Sequence, residues 1–324
     1  MAASLKDPES LLGQIVKFWN KPRHRKRKAL RDLAERHRLL EPIMRLRAHA
    51  TYATRHVRRR RRHGLPGPLV VSLTSYPPRF PTLHLTLMTL LSQQVLPDRV
   101  VLYVFDDDHA SLPRDVLALA GDLLDIRRVP TDIRSYKKLV PALGDFPQAF
   151  IATADDDVRY RSTWLGELVS AHDPAVREVI GRRAHRIRTD ASGRILPYRD
   201  WEQRVESTIR ADPSILLTGV GGILYPPGVL SPLATDESSF MRLCPSADDV
   251  WFYFMARLTG AACRKIGQGP KDYYWEPSQG VALSTFNVEG SGNDEAFARM
   301  VERFGNPLRP GFGGRKVDHD RVSG

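Results

Sequence analysis

The chain has 324 residues, 42% of them hydrophobic, enough for one large or two ordinary domains around a substantial core. Its two cysteines exclude a disulfide framework and a cysteine-ligated metal site. The net charge of +12 is uneven: residues 1–63 hold 19 Lys+Arg against 5 Asp+Glu, and the remainder holds 30 against 32. Any charge-driven nucleic-acid binding is thereby confined to an N-terminal arm, and the near-neutral body is not expected to bind nucleic acid.

In the arm, Leu11, Ile15, Phe18 and Trp19 share one helical face, and Leu30, Leu33, Leu40 and Ile43 another. Basic blocks run from Lys21 to Lys28 and from Arg58 to Arg62. Apolar faces beside such blocks point to peripheral contact with an anionic membrane, at about 1 kcal/mol per near-surface basic residue. A solvated, partly disordered extension is the other reading. No apolar run reaches the roughly 18–20 residues that span a bilayer, and Met1–Asn20 lacks the order of a secretion signal. A cytoplasmic protein, peripheral at the inner face of the membrane, is expected. Gly64-Leu65-Pro66-Gly67-Pro68 reads as a linker, giving an arm and linker over 1–64, a body over 65–310 and a polar tail over 311–324.

From Leu69 the pattern alternates. Leu69–Thr74 is a short apolar strand, and Pro81 starts a helix running to Gln94. Val100–Phe105 is a second strand, stopped by Asp106-Asp107-Asp108; Ser111 and Pro113 begin a helix through Leu119. Ile126–Val129 is a weaker strand, Leu139–Leu143 a short helix and Phe150–Ala154 a further strand, after which Ser162 or Thr163 caps a helix containing Trp164, Leu165 and Leu168. Alternation of this kind predicts an α/β fold with a mostly parallel sheet covered on both faces. Ligands of such sheets bind beyond the carboxyl ends of the strands, where both acid triplets fall.

Asp155-Asp156-Asp157 closes the Phe150–Ala154 run. Carboxylates at i and i+2 on a strand end point to one side, so Asp155 and Asp157 can converge on a hard cation, magnesium or manganese, that would hold a diphosphate. Further on, Val179–Ile187 reads as a strand in which Arg183 and His185 share a side, able to bind acceptor hydroxyls or an anionic group, or simply exposed. Gly219-Val220-Gly221-Gly222 precedes Pro226-Pro227-Gly228 and no helix, so close backbone approach is favoured over a phosphate loop. Asp248-Asp249 opens the hydrophobic stretch Val250–Leu258 with helical character. Such acids suit a helix N-terminus, and one facing the cleft can act as general base. Lys137 and Lys138 precede Leu139 near the cleft mouth and can neutralise a phosphate.

The succession Ser72-Leu73-Thr74-Ser75-Tyr76, Tyr136-Lys137-Lys138-Leu139, Ala154-Asp155-Asp156-Asp157, Arg183-Ala184-His185-Arg186, Thr218 to Pro227, and Cys244 to Phe252 resembles bacterial family-2-like glycosyltransferases of the GT-A fold, which serve surface-polysaccharide synthesis. The likeness covers roughly Leu69 to Asp294 and leaves out the arm. It implies a nucleotide-diphosphate-sugar donor held through a divalent cation at Asp155 and Asp157, with Asp156 on the donor side. Thr74, Ser75, Tyr76, Arg79 and Asp106 or Asp107 would line the nucleotide pocket. Asp249, or Asp248, would be the base of an inverting displacement, and Gly221 and Gly222 would adjoin the donor sugar and a glycan or lipid-linked acceptor. Asn293, Asp294 or water would complete the metal shell, since after His185 only His319 remains. The competing classes are a metal-dependent nucleotidyltransferase or phosphohydrolase, and a nucleic-acid-binding protein acting through the arm.

Overall fold

A computed structural model of the chain describes residues 40–57, 59–267, 274–275 and 292–313. The helical faces and basic block expected before residue 40, Arg58, His319 and the tail from 314 lie outside these residues. Two compact units divide the chain, residues 1–48 and 49–324. The described part of the first is helical over 40–48 and carries an Arg45–Glu41 ion pair of 2.5 Å, one turn apart.

The second unit holds eleven strands among the described residues: β1 (Arg61–Arg62), β2 (Leu69–Thr74), β3 (Val95–Leu96), β4 (Arg99–Phe105), β5 (Leu124–Val129), β6 (Phe150–Thr153), β7 (Glu178–Gly181), β8 (Ala184–Arg186), β9 (Ile215–Leu217), β10 (Ile223–Tyr225) and β11 (Ala262–Lys265). Seven form the central sheet in the order β11-β7-β10-β6-β2-β4-β5. Only β10 is antiparallel to its neighbours; the other pairings are parallel. The expected α/β fold with a mostly parallel sheet is therefore the observed one.

Alternation along the strands explains the layers. Leu69, Val71 and Leu73 face Phe80, Leu83 and Leu87 of the Phe80–Leu90 helix, together with Trp164, Leu165 and Leu168 of the Trp164–Ala171 helix. Val70, Val101 and Ile151 turn to the opposite face, where Trp251, Phe252 and Phe254 of the Asp248–Leu258 helix belong to the same cluster. Each such side chain contributes roughly 1.5–3 kcal/mol on burial. Strands buried on both faces read as continuous apolar runs, which is why β2, β4 and β6 were visible in the sequence.

Three local expectations change. Val179–Ile187 is not one strand: β7 ends at Gly181, whose absent side chain leaves room for Leu217, and β8 turns away to pair antiparallel with β9. An added Cβ on Gly181 would stand 2.8 Å from Leu217 Cδ2. Asp106–Asp108 do not simply end β4; they form the short helical turn Asp106–His109 and complement its dipole. Ser111 caps nothing downstream: its Oγ donates to the Asp108 carbonyl at 2.7 Å, and Pro113 occupies the N-cap of Arg114–Leu117.

Candidate active site at the carboxyl edge of the sheet

Sheet order assembles the site. Because β6, β2 and β4 are adjacent and parallel, the segments following them emerge at one edge. These segments carry Asp155–Asp157, Thr74–Arg79 and Asp106–Asp107. The reversed β10 begins at that same edge, and its register, Ile223 opposite Thr153, sets Gly222 beside the start of the acid triplet.

On one side of the site the acid triplet meets the β2 turn. Ser75 Oγ donates to Asp156 Oδ2 at 2.5 Å, and Arg79 forms a buried ion pair with Asp157. Burial, reinforced by the Asp157 charge, pushes the Asp156 carboxyl up to about 7, against the Ser75 hydrogen bond and Arg79. Asp157 is raised by burial and by the charge of Asp155, with Arg79 opposing. Asp155 is oriented through its backbone N–H, which donates to Tyr160 Oη at 2.7 Å. Thr74 Oγ1 donates to the Tyr103 carbonyl at 2.9 Å, tying the end of β2 to β4, and Tyr76 is the N-cap of the 3₁₀ turn Pro77–Arg79. Asp106 and Asp107 are exposed. Lys137 pairs with Asp132, and its ammonium lies 5.9 Å from the centre of the Phe105 ring.

The opposite side is built on the Asp248–Leu258 helix. Tyr136 stacks on Phe240 at 4.1 Å, meets the Phe252 edge at 5.6 Å and donates its hydroxyl to the Cys244 carbonyl at 2.7 Å. That packing anchors the 3₁₀ turn Arg134–Lys138 and delivers Lys138 to the helix start. The Lys138 ammonium sits 3.0 Å from Asp248 Oδ2 and 3.7 Å from Asp155 Oδ1, linking the two acidic sides. Burial alone would lower its pKa; the charges of Asp248, Asp155 and Asp249 outweigh burial and raise it well above the ordinary lysine value. Asp249 Oδ1 accepts from the Gly219 backbone N–H at 3.0 Å. Burial and the adjacent Asp248 push the Asp249 carboxyl up to about 7, opposed by Lys138 and the Gly219 hydrogen bond.

Gly219 marks where these groups converge. A Cβ placed there would lie 2.7 Å from Lys138 Nζ, 3.5 Å from Asp249 Oδ1 and 3.7 Å from Asp155 Oδ1. Gly221 and Gly222 both have φ of +92°, and Gly222 packs flat beneath Trp164, whose indole N–H donates to the Gly221 carbonyl at 2.7 Å. Gly219, Tyr160 and Trp164 are not among the site residues expected from the sequence, where Gly219 stands only for close backbone approach and Trp164 only for a helix. Gly219 stands in the glycine-rich segment, but neither aromatic ring carries a local signal that separates it from the core.

Arg183 and His185 have different surroundings. His185 is buried; its Nδ1 accepts from the Arg204 backbone N–H at 3.1 Å and its ring lies edge-on to Tyr198 at 5.4 Å. Burial, with Arg183 and Arg204 nearby, pushes its pKa down to about 3, so the ring is neutral. Arg183 is half-buried, and its carbonyl accepts from Thr218 N at 3.0 Å, one residue before Gly219.

The donor set suits a hard cation in part. Asp155 and Asp157 supply two carboxylates close enough to perturb one another, and magnesium is commonly held by one or two carboxylates plus substrate phosphates and water. Among the described residues no group of three His, Cys, Asp or Glu side chains has metal-binding geometry. Asp294 Oδ1 accepts from the Tyr198 backbone N–H at 2.7 Å. Asp157 is ion-paired with Arg79 and Asp155 lies 3.7 Å from the Lys138 ammonium, so these two carboxylates would hold a cation only with diphosphate and water completing its shell.

Neither a scan against protein-family models nor a search of curated proteins returns a match. Solved structures similar to this chain include mannosyltransferase PcManGT from Pyrobaculum calidifontis in complex with GDP-Man and Mn2+ (14% identity, TM-score 0.46, 84% of this chain and 74% of that one). They also include 4-diphosphocytidyl-2C-methyl-D-erythritol synthase from Anaerococcus prevotii (12% identity, TM-score 0.34, 54% and 77%) and HddC from Yersinia pseudotuberculosis (10% identity, TM-score 0.33, 50% and 78%).

Proposed function

We propose that the protein is a divalent-cation-dependent glycosyltransferase, moving a sugar from a nucleotide-diphosphate donor to a hydroxyl of a glycan or lipid-linked acceptor. The observation that carries this reading is the convergence at Gly219 of the Asp155 and Asp249 carboxylates with the Lys138 ammonium between them. A leaving diphosphate needs positive charge on one side, and an attacking hydroxyl needs a proton acceptor on the other.

A magnesium or manganese ion held by Asp155 and Asp157 would draw charge from the diphosphate oxygens. Asp249, raised to about 7, takes the acceptor proton near neutral pH. The acceptor oxygen bonds to the anomeric carbon as the carbon–diphosphate bond breaks, and the diphosphate leaves with the electron pair. Lys138 balances charge between the two sides throughout. The β2 turn, Thr74 to Arg79, with Asp106, Asp107, Lys137 and Asp156, forms the donor pocket; Gly221 and Gly222 let backbone lie against the sugar. A role in surface polysaccharide synthesis with inversion at the anomeric carbon is part of the same proposal.

The test is a panel of nucleotide-diphosphate sugars incubated with the full chain and manganese or magnesium, with products read by mass spectrometry. Nucleoside diphosphate release that disappears with chelator and in Asp155→Ala and Asp157→Ala is expected. Wild-type turnover in either variant sinks the site, and inorganic phosphate or nucleotidyl products with no sugar moved favour a phosphohydrolase or nucleotidyltransferase instead.

Among the described residues no helix is long and apolar enough to cross a membrane. We place the protein in the cytoplasm, with residues 1–63 giving peripheral contact with the anionic inner face of the membrane and no nucleic-acid partner. Vesicles containing phosphatidylglycerol should co-sediment the full chain and lose it when residues 1–63 are deleted; unchanged binding removes the idea.

A further inference from the structure

Most basic side chains in and around the site are already neutralised. Arg79 is paired with Asp157, Lys137 with Asp132, Lys138 with Asp248 and Asp155, Arg182 with Glu167, and Arg186 with Asp212 and Glu202. Arg183 differs. Among the described residues no carboxylate stands within ion-pairing distance of its guanidinium, and its Nε is buried without a hydrogen-bond partner. A second orphan lies beside it: Thr218, whose backbone N–H donates to the Arg183 carbonyl, is 8% exposed and its Oγ1 is likewise unpartnered. Buried polar atoms of native proteins are satisfied as a rule, so Arg183, with no carboxylate on its guanidinium, and Thr218 Oγ1 are donors suited to a ligand oxygen.

The position of the pair says where that partner belongs. Thr218 is followed by Gly219, whose N–H holds Asp249, so the backbone that carries the two orphans leads directly to the base. Tyr198 forms the neighbouring wall, edge-on to His185, and its hydroxyl is raised by burial and by the Asp249 charge while Arg183 lowers it. The Tyr198 hydroxyl thus senses the charges of both Arg183 and Asp249. The neutral His185 adds no positive charge, so the charge on this side comes from arginines, Arg183 beside Thr218 and Arg204 beside His185.

Resting on the reading of the site as a glycosyltransferase, we infer that its acceptor carries an anionic substituent, a carboxylate or a phosphate ester, which Arg183 receives with Thr218 Oγ1 as a second donor. A planar guanidinium presents paired N–H groups to either oxyanion, and charge-assisted hydrogen bonds of this kind are about twice as strong as neutral ones. Neutral sugars would leave the arginine uncompensated.

Calorimetric titration of the full chain with glucuronate, glucose 6-phosphate and glucose, in saturating nucleoside diphosphate and magnesium, tests the assignment. At least tenfold tighter binding of one or both charged sugars than of glucose is expected, and the arm that binds tells carboxylate from phosphate. Arg183→Gln should erase the ratio, and Arg183→Lys should retain part of it. An unfolded variant would bind no ligand at all, so the result counts only where Arg183→Gln keeps wild-type nucleoside-diphosphate affinity. Equal or undetectable binding of charged and neutral sugars by the wild type overturns the inference, as does a preference that survives in Arg183→Gln. A weakened nucleoside-diphosphate affinity in Arg183→Gln would reassign the arginine to the donor and also overturn it. Donor turnover by the same preparation reports on the parent reading separately: selective anion binding without turnover sinks the glycosyltransferase and leaves the anion site standing.

Discussion

Replacing Asp249 by Asn is expected to lower sugar transfer by about 10²–10⁴-fold, the usual contribution of a positioned general base. Asn keeps an oxygen able to accept from Gly219 N, now 3.0 Å from Asp249 Oδ1, so the helix start should hold its place while the proton acceptor is lost. The wild-type rate should rise with pH and level off above about 7, where the Asp249 carboxyl ionises. Asp248→Asn removes the like charge next to it and should move that limb to lower pH. Stability should respond in the opposite sense. A carboxyl whose folded pKa of about 7 exceeds its ordinary value of 3.8 contributes stability that is complete below about 4 and lost as pH rises through 7. Asp249→Asn should flatten that loss in denaturant unfolding followed from pH 4 to pH 8. Transfer within threefold of wild type, with an unchanged pH profile, would falsify the base assignment.

Gly222→Ala carries the second large expected effect, on both stability and activity. At φ of +92° a side chain is strained, by about 1–3 kcal/mol. The added carbon would fall 2.5 Å from Trp164 Cζ2, within a buried site that cannot yield freely, adding about 1–3 kcal/mol of overpacking. Trp164 also stands 4.5 Å from the Tyr160 ring, whose hydroxyl accepts from the Asp155 backbone N–H. Displacing the indole therefore disturbs the acid turn as well as the core. Chemical denaturation should show the loss, and the same substitution in a Trp164→Ala background should cost less, because the collision partner is gone. A Gly222→Ala protein within about 0.5 kcal/mol of wild type would show that the segment moves aside without strain.

The amino-acid order alone determined the α/β class, four of the parallel strands within a residue or two, and the placing of Asp155–Asp157 at a strand end. Those features are local: apolar runs buried on both faces and strand ends punctuated by acids survive without knowledge of neighbours. It also gave the helix opened by Asp248 and Asp249, because acids at a helix start and a hydrophobic stretch behind them are readable together. The tertiary structure decided who meets whom. That Lys138 bridges Asp248 and Asp155 depends on Tyr136 docking against Phe240 and Phe252, more than a hundred residues away. That Gly219 supports Asp249, and that Trp164 roofs Gly222, follows from the reversal of β10 within an otherwise parallel sheet. The break between β7 and β8, which carries Arg183 and His185 from the central sheet onto β9, goes with Leu217 packing on Gly181. Pairings across such sequence distances are chosen by packing and hydrogen bonding between elements, and no periodicity within one segment encodes them.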